Sequence, residues 1–533
     1  MTAVIDRSRR GIPTEARRQA LSVTGGVALV LVVWEVSARA LTDAFVLAGP
    51  VEIVVFLVQN ASLMTRALGV TLGNAAAGFV LGNLAAILLA AVAVLWPRSR
   101  TVVTGVGLLV FCLPLVATGP ILRVVLGPGP EPQIALAALA VYYTTLIPLL
   151  VGLRAAPATW FDLVRSYGRG GYAALVHVRA RASLPYLFAG LQIAAPAAFL
   201  GAMVGEFTGA ESGLGVLTIR ATRALDVELT WAVATVATVV ALLAYVGIGA
   251  LATALLHDRP PVILAAAPEL LTRRRRALRV GIDIAVTAAL VLLVWWAALE
   301  ALGLSEFFAK RPGDVLDALL TAPDAAETRA TLLTALGETA VYLLPGYLAG
   351  LLLGAGLAVA LVLVPSIAGT SLSVAIALRS VPIVTTAPLV TLLLGRGAVG
   401  TIVLVAIMVF FPTLVACLHG LRQAPGQVID VLDSYAAGPI ARVVRVRIPA
   451  MLPAFFAAAR MSVPAAVLAI TVVEWLSTGN GIGSLMALSA SLSDYDMLWS
   501  SVVIVSVLAV VGYALVGAIE TRVLRRYAPE QSA

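Results

Sequence analysis

Apolar residues in this chain gather into long runs, with polar residues confined to short islands between them. Runs near residues 21–40, 69–95, 102–126, 134–153, 187–207 and 231–256 are followed by six more near 280–299, 338–364, 367–394, 399–418, 455–475 and 499–520. A helix needs ~20 apolar residues to cross a bilayer. The pattern therefore predicts twelve membrane-spanning helices and an all-α integral membrane protein. Two islands have a period of their own. Trp160, Leu163, Val164 and Tyr167 fall at i, i+3, i+4 and i+7 between Pro157 and Pro185, and Val428, Val431, Leu432 and Tyr435 do so between Pro425 and Pro453. That spacing lays one apolar stripe on a short helix, which a proline opens (Pro157, Pro425) and glycine closes (Gly170-Gly171, Gly438). Each helix has roughly three turns, too few to span.

The islands are copies of each other. A shift of 268 positions, the distance from Pro157 to Pro425, carries Thr71, Gly78 and Gly82 onto Thr339, Gly346 and Gly350, and Pro97, Pro114 and Pro120 onto Pro365, Pro382 and Pro388. It also takes Gly152-Leu153-Arg154 to Gly420-Leu421-Arg422, Ser166-Tyr167 to Ser434-Tyr435, Glu206 to Glu474 and Trp231 to Trp499. Such an ungapped match marks a duplication. Nearer the start of each half the shift falls to 262, where Pro50 and Glu52 meet Pro312 and Asp314. Six spans per copy, an even number, insert both copies the same way, so two parallel repeats related by an axis along the membrane normal are expected. The divisions expected are a cytoplasmic segment at 1–20, a first repeat at 21–256, a basic linker at 257–279, a second repeat at 280–520 and a tail at 521–533.

Composition agrees: 61% of residues are hydrophobic and 12% charged, against ~45–50% and ~25% in soluble domains. A net charge of +8 invites nucleic acid, but the arginines lie between apolar runs, where the positive-inside rule accounts for them. Arg98, Arg100, both islands, the linker run Arg273 to Arg276 and the tail arginines fall on one side, which is thereby the cytoplasm, leaving Arg66, Arg220, Arg223, Lys310 and Arg329 opposite. Both termini are then cytoplasmic. A cleaved signal ending at Ala38-Arg39-Ala40 is the rival reading of the first run; the similar run at 280–299, mid-chain, favours a retained span. Cys112 and Cys417 sit inside apolar runs and read as packing residues.

Few residues carry chemistry. Arg379 lies about twelve residues into its span, roughly 18 Å at 1.5 Å per residue, just before Pro382. A charge at that depth faces a cavity or a partner; in the first half its place is taken by Phe111. Arg460, matched by Gln192, sits nearer the cytoplasmic end of its span and is expected to snorkel. Glu206 and Glu474 close the fifth spans ahead of Gly213-Leu214-Gly215 and Gly481-Ile482-Gly483. These read as an external gate or binding-protein contact, or else as turns with solvated carboxylates. His177, His257 and His419 are scattered and show no metal-ligand spacing. A phosphate-binding G-x-x-x-x-G-K-[ST] loop needs a lysine, and Lys310, the sole lysine, lies in an external loop.

Two matched helices on one side of a duplicated membrane protein suit a twofold partner. Asp162-Leu163-Val164 with Gly168, and Asp430-Val431-Leu432 with Ala436 and Val446-Arg447-Ile448-Pro449, resemble the signature loop of ABC importer permeases of the type I fold. Thr71 to Gly82, Arg379 to Leu389 and Gly205 to Gly215 resemble the permeases for nitrate, taurine, alkanesulfonates and thiamine-precursor pyrimidines, and the likeness covers almost the whole chain, twice, as a fused tandem pair. The departures are Ala436 for the signature glycine, Arg181 for its proline and Asp for the commoner Glu. The resemblance implies a permease subunit in a bacterial inner (plasma) membrane, with no cofactor of its own. Its partners would be two copies of an ATP-binding cassette subunit carrying ATP and Mg, an extracytoplasmic solute-binding protein, the lipid bilayer and a small-molecule solute, with no nucleic acid. It further implies that the ATPases dock on Trp160, Asp162, Leu163, Val164, Ser166, Tyr167 and Gly168, and on Val428, Asp430, Val431, Leu432, Ser434, Tyr435 and Ala436. Two other classes remain. A gradient-driven secondary transporter would want intramembrane carboxylates, and a membrane enzyme a convergent catalytic cluster.

Overall fold

The computed structural model describes residues 28, 31–41, 46–256, 273–364, 383–395 and 397–527. The elements are helical throughout. Helix α1 covers 31–40. It is followed by α2 (Pro50–Gln59), α3 (Ala61–Leu95), α4 (Arg100–Phe111), α5 (Leu115–Leu126), α6 (Glu131–Gly152), α7 (Ala158–Ser166), α8 (Gly171–Glu206), α9 (Leu214–Ala224) and α10 (Val227–Leu256). The second half supplies α11 (Arg273–Ala301), α12 (Pro312–Leu320), α13 (Ala325–Leu363), α14 (Ile383–Leu394), α15 (Ala398–Arg422), α16 (Gly426–Ser434), α17 (Pro439–Leu476), α18 (Ile482–Leu492) and α19 (Tyr495–Tyr527).

Among the described residues nine helices are long and apolar enough to cross a membrane, and the pair α4–α5 makes a tenth. The other two expected spans, 21–40 and 367–394, lie partly outside the described residues. The chain is thus an all-α membrane protein of about twelve spans.

One span departs from expectation. The run at 102–126, read as a single helix, is bent by 98° between α4 and α5. Pro114 is the cause: it has no N–H to donate, its ring would meet the carbonyl four residues back, and its backbone is extended at φ −72°, ψ 95°. The chain turns there and starts again.

The duplication is visible bond by bond. Glu52 accepts from the Gly49 N–H at 3.0 Å and Asp314 from the Arg311 N–H at 2.8 Å. Proline at N1 and an acid at N3 thus begin α2 and α12 in the same way. Trp231 Nε1 donates to the Val46 carbonyl and Trp499 Nε1 to the Phe308 carbonyl, tying the start of each half to its last helix. Within each half α3 packs on α6 as α13 packs on α15, and α6 on α8 as α15 on α17. Small residues permit that closeness. A Cβ on Gly82 would come within 2.5 Å of the Ala138 carbonyl, and one on Gly350 within 2.6 Å of the Ala406 carbonyl.

The halves hold each other reciprocally. From the first half, α4 and α5 reach α11, α17, α18 and α19, while α14 reaches back to α8, α9 and α10. Ala117 and Ile121 of α5 share a core with Ile482 and Met486 of α18.

Candidate functional site

The polar islands fold as two matched surface helices. In α7 and α16, nine residues each, proline occupies the N-cap position (Pro157, Pro425). Two and a half turns replace the expected three, because the chain turns sooner than Gly170 or Gly438. Gly168 takes φ +67° and Ala436 φ +53°. The left-handed conformation suits glycine and ends a helix, which accounts for glycine in the signature and makes Ala436 the costlier version. Ser166 and Ser434 each donate at 2.7 Å to a carbonyl three residues back, Leu163 and Val431.

Their apolar stripes are turned outward. Trp160, Leu163, Val428 and Val431 are exposed, as are Tyr167 at 75% and Tyr435 at 81%, while Val164 and Leu432 are half-buried. Asp162 and Asp430 are exposed beside them. Asp162 meets Arg165 at 3.7 Å, and Asp433 meets Arg442 at 2.7 Å. Behind each helix, within the first turns of α8 and α17, the chain makes one π turn, Leu175–Arg179 and Val443–Arg447.

Glu206 and Glu474 are not solvated carboxylates: they are 1% and 2% exposed. Thr71 donates to Glu206 Oε1 at 2.7 Å and accepts from the Leu214 N–H at 2.9 Å, while the Gly215 N–H donates to Glu206 Oε2 at 2.7 Å. The second copy brings the same three residues together, with both bonds to the carboxylate on one oxygen, Oε2. Thr339 donates to Glu474 at 3.0 Å and accepts from Ile482 N–H at 2.9 Å, and Gly483 N–H donates to Glu474 at 2.8 Å. Burying a polar group without such partners is costly, so each carboxylate pins the loop that enters α9 or α18. The glycines make room: a Cβ on Gly213 or Gly481 would fall 2.2 Å from the carboxyl group, and Gly215 and Gly483 are equally confined. In the sequence Thr71 and Thr339 stand out by their matched positions, and Thr71 by the resemblance of the segment it opens, but nothing local points to a carboxylate partner.

The other candidates do not converge. Arg379 and Pro382 lie outside the described residues. Phe111 stacks on Tyr143 at 4.5 Å where α4 ends. Arg460 does not snorkel: its guanidinium pairs with Glu520 of α19 at 3.1 Å and lies over the Tyr513 ring at 5.6 Å. Burial favours a partner over a long reach to water. Arg460 and Gln192 each rest on a glycine of the last helix of their own half, Gly517 and Gly249. Glu520, Tyr513 and these two glycines escaped the sequence reading, because contacts between distant helices leave no local pattern.

The sequence pattern of the family described as "Binding-protein-dependent transport system inner membrane component" matches residues 78–258 and again residues 346–525. The chain belongs to that family. The chain carries the family's unit twice, and each relative below matches less than half of it. A probable ABC transporter permease protein of Haemophilus influenzae is 30% identical over 217 residues, 40% of this chain and 85% of the relative. The formylaminopyrimidine transport permease protein ThiX of Halalkalibacterium halodurans is 28% identical over 203 residues, 38% of this chain and 81% of its own. The taurine transport system permease protein TauC of Escherichia coli is 23% identical over 224 residues, 42% and 82% of the two chains. No solved structure matches significantly. The component is thus a multi-pass permease subunit of the ABC type, a fused tandem duplication, and a transport subunit rather than the ATPase itself.

Proposed function

We propose that this chain is the complete transmembrane path of an ATP-driven importer, with α7 and α16 receiving one separate ATPase subunit each. The observation that supports it most is the pair of exposed tyrosine-bearing stripes. A membrane protein that exposes Trp160, Leu163 and Tyr167, and Val428, Val431 and Tyr435 at the matched positions, leaves two apolar faces for a partner to cover. With an even number of spans between them the helices share one side, which the arginine distribution makes the cytoplasm. Closure of the ATPases on ATP draws α7 and α16 together, the reciprocal α4–α5 and α14 contacts transmit the movement, and the halves rock between outward-open and inward-open forms. The solute, delivered by an extracytoplasmic binding protein, is a small molecule of the nitrate, sulfonate, taurine or pyrimidine-like class; the resemblance of the motifs supports the class, and taurine and formylaminopyrimidine stand in the names of relatives.

The test is a pull-down of the tagged chain from native membranes with mass spectrometry and an ATPase assay. The expected result is about two ATP-binding cassette subunits per permease, lost in Asp430→Arg or Tyr435→Ala while the permease stays folded. Recovery of the chain without ATPase, together with gradient-driven uptake by the chain alone in liposomes, would overturn the reading.

A further inference from the structure

The two halves are matched in backbone but not in charge on the face opposite α7 and α16. Helix α9 and the loop before it border a cavity of about 580 Å³, lined by Glu206, Phe207, Gly209, Ile219, Arg220 and Arg223 among others. Arg220 and Arg223, three apart on one helical face, are both exposed. A third arginine, Arg123 of α5, donates to the carbonyl of Gly209 in the cavity wall. At the positions 268 later stand Leu488, Ser491 and Thr391, none of them charged. The second half is altered in the opposite sense. Glu338, where the first half has Val70, accepts the Gly481 N–H at 2.8 Å beside the corresponding loop. Glu206 also lines the cavity but has its counterpart in Glu474, and Glu211 of the preceding loop, matched by Gly479, offsets one charge, which leaves the first half the more basic.

A single-chain binding protein has no twofold axis, so on a symmetric permease surface it would have two equivalent poses. We infer that the Arg123–Arg220–Arg223 cavity removes this degeneracy. It takes an acidic patch of the binding protein on the first half, so that the partner docks in one orientation only. The inference rests on the reading of the chain as an importer permease whose α9 face is extracytoplasmic. Rim charges of this kind act mainly on encounter rate and on choice of pose, and their effect fades with salt.

The binding protein recovered with the tagged complex serves as the probe, and its stimulation of ATP hydrolysis by the reconstituted complex gives an apparent affinity. Arg220→Glu with Arg223→Glu should weaken that affinity roughly tenfold at low salt. The basal ATPase rate should stay unchanged, and the difference should shrink as salt is raised. Leu488→Glu with Ser491→Glu, the matched pair in the second half, should change it far less. A photo-crosslinker at Ile219 and another at Ala487 should capture different peptides of the binding protein. The same mixture of peptides from both positions, or equal loss of affinity from either pair of substitutions, overturns the single pose. Unchanged affinity with slower solute uptake would assign the arginines to the solute instead and equally sink the inference. If wild-type ATPase is not stimulated by any co-purified protein, it is the importer reading that fails.

Discussion

At the scale of single residues, the buried pairs Thr71–Glu206 and Thr339–Glu474 bear most on stability. Each threonine hydroxyl both donates to the carboxyl group and accepts from a loop N–H. Thr71→Val keeps the shape and removes both bonds, leaving buried polar atoms unpaired at about 1–3 kcal/mol apiece. A loss of about 2–4 kcal/mol is expected, read as earlier thermal unfolding in detergent, with Thr71→Ser restoring most of it. Equal loss from Ser and Val would show that the hydroxyl is unimportant. Ala436 gives a prediction of opposite sign. Its left-handed backbone costs a residue with a Cβ about 1 kcal/mol, and glycine would be relieved of that. Ala436→Gly should therefore keep or strengthen ATPase co-purification, whereas Gly168→Val should weaken it; the ratio of ATPase to permease in the pull-down decides.

At the scale of elements, what could be read in advance was whatever repeats or is local. The stripes of α7 and α16 follow from i, i+3, i+4 spacing, and the starts of α2 and α12 from Pro50 with Glu52 and Pro312 with Asp314. The break between α4 and α5 was marked by Pro114, yet a proline inside an apolar run is compatible with an unbroken span too: α8 passes through Pro185 and Pro196 without ending. The role of Glu206 was not legible, since its partner Thr71 stands 135 positions earlier and only packing of α3 on α8 brings them together. The same packing separates two kinds of glycine. Gly82→Leu on α3 should abolish folded expression, because the Ala138 backbone occupies the space and overpacking at a tight helix contact costs several times what one methylene does. Gly69→Leu on the same helix meets nothing within 4 Å and should express normally. Size-exclusion profiles of both variants, tagged with a fluorescent protein, are the measurement; a normal profile for Gly82→Leu would refute the packing account.

At the scale of the molecule, duplication has become fusion, and the reciprocal contacts indicate what the fusion contributes. The first half inserts α4 and α5 among α11, α17, α18 and α19, and the second returns α14 to α8, α9 and α10. An interface of that kind, each half giving the same element to the other, is what a twofold dimer of separate chains would use. If packing holds the halves, the covalent link expected at 257–279 need only be a tether that raises the effective concentration of one half for the other and fixes the pairing of unlike halves. Cutting the chain there and co-expressing 1–256 with 273–533 should yield two fragments that co-purify from detergent through a tag on either one, with ATP-driven uptake kept at a large fraction of the intact level. Tagging both kinds of fragment separately extends the test. If the halves have diverged enough to prefer each other, as Arg220 and Arg223 against Leu488 and Ser491 suggest for the outer face alone, mixed pairs should still outnumber like pairs because α5 and α18 share one buried core. Fragments that never associate would mean that the linker does more than tether, and that the halves are held by the chain rather than by their packing.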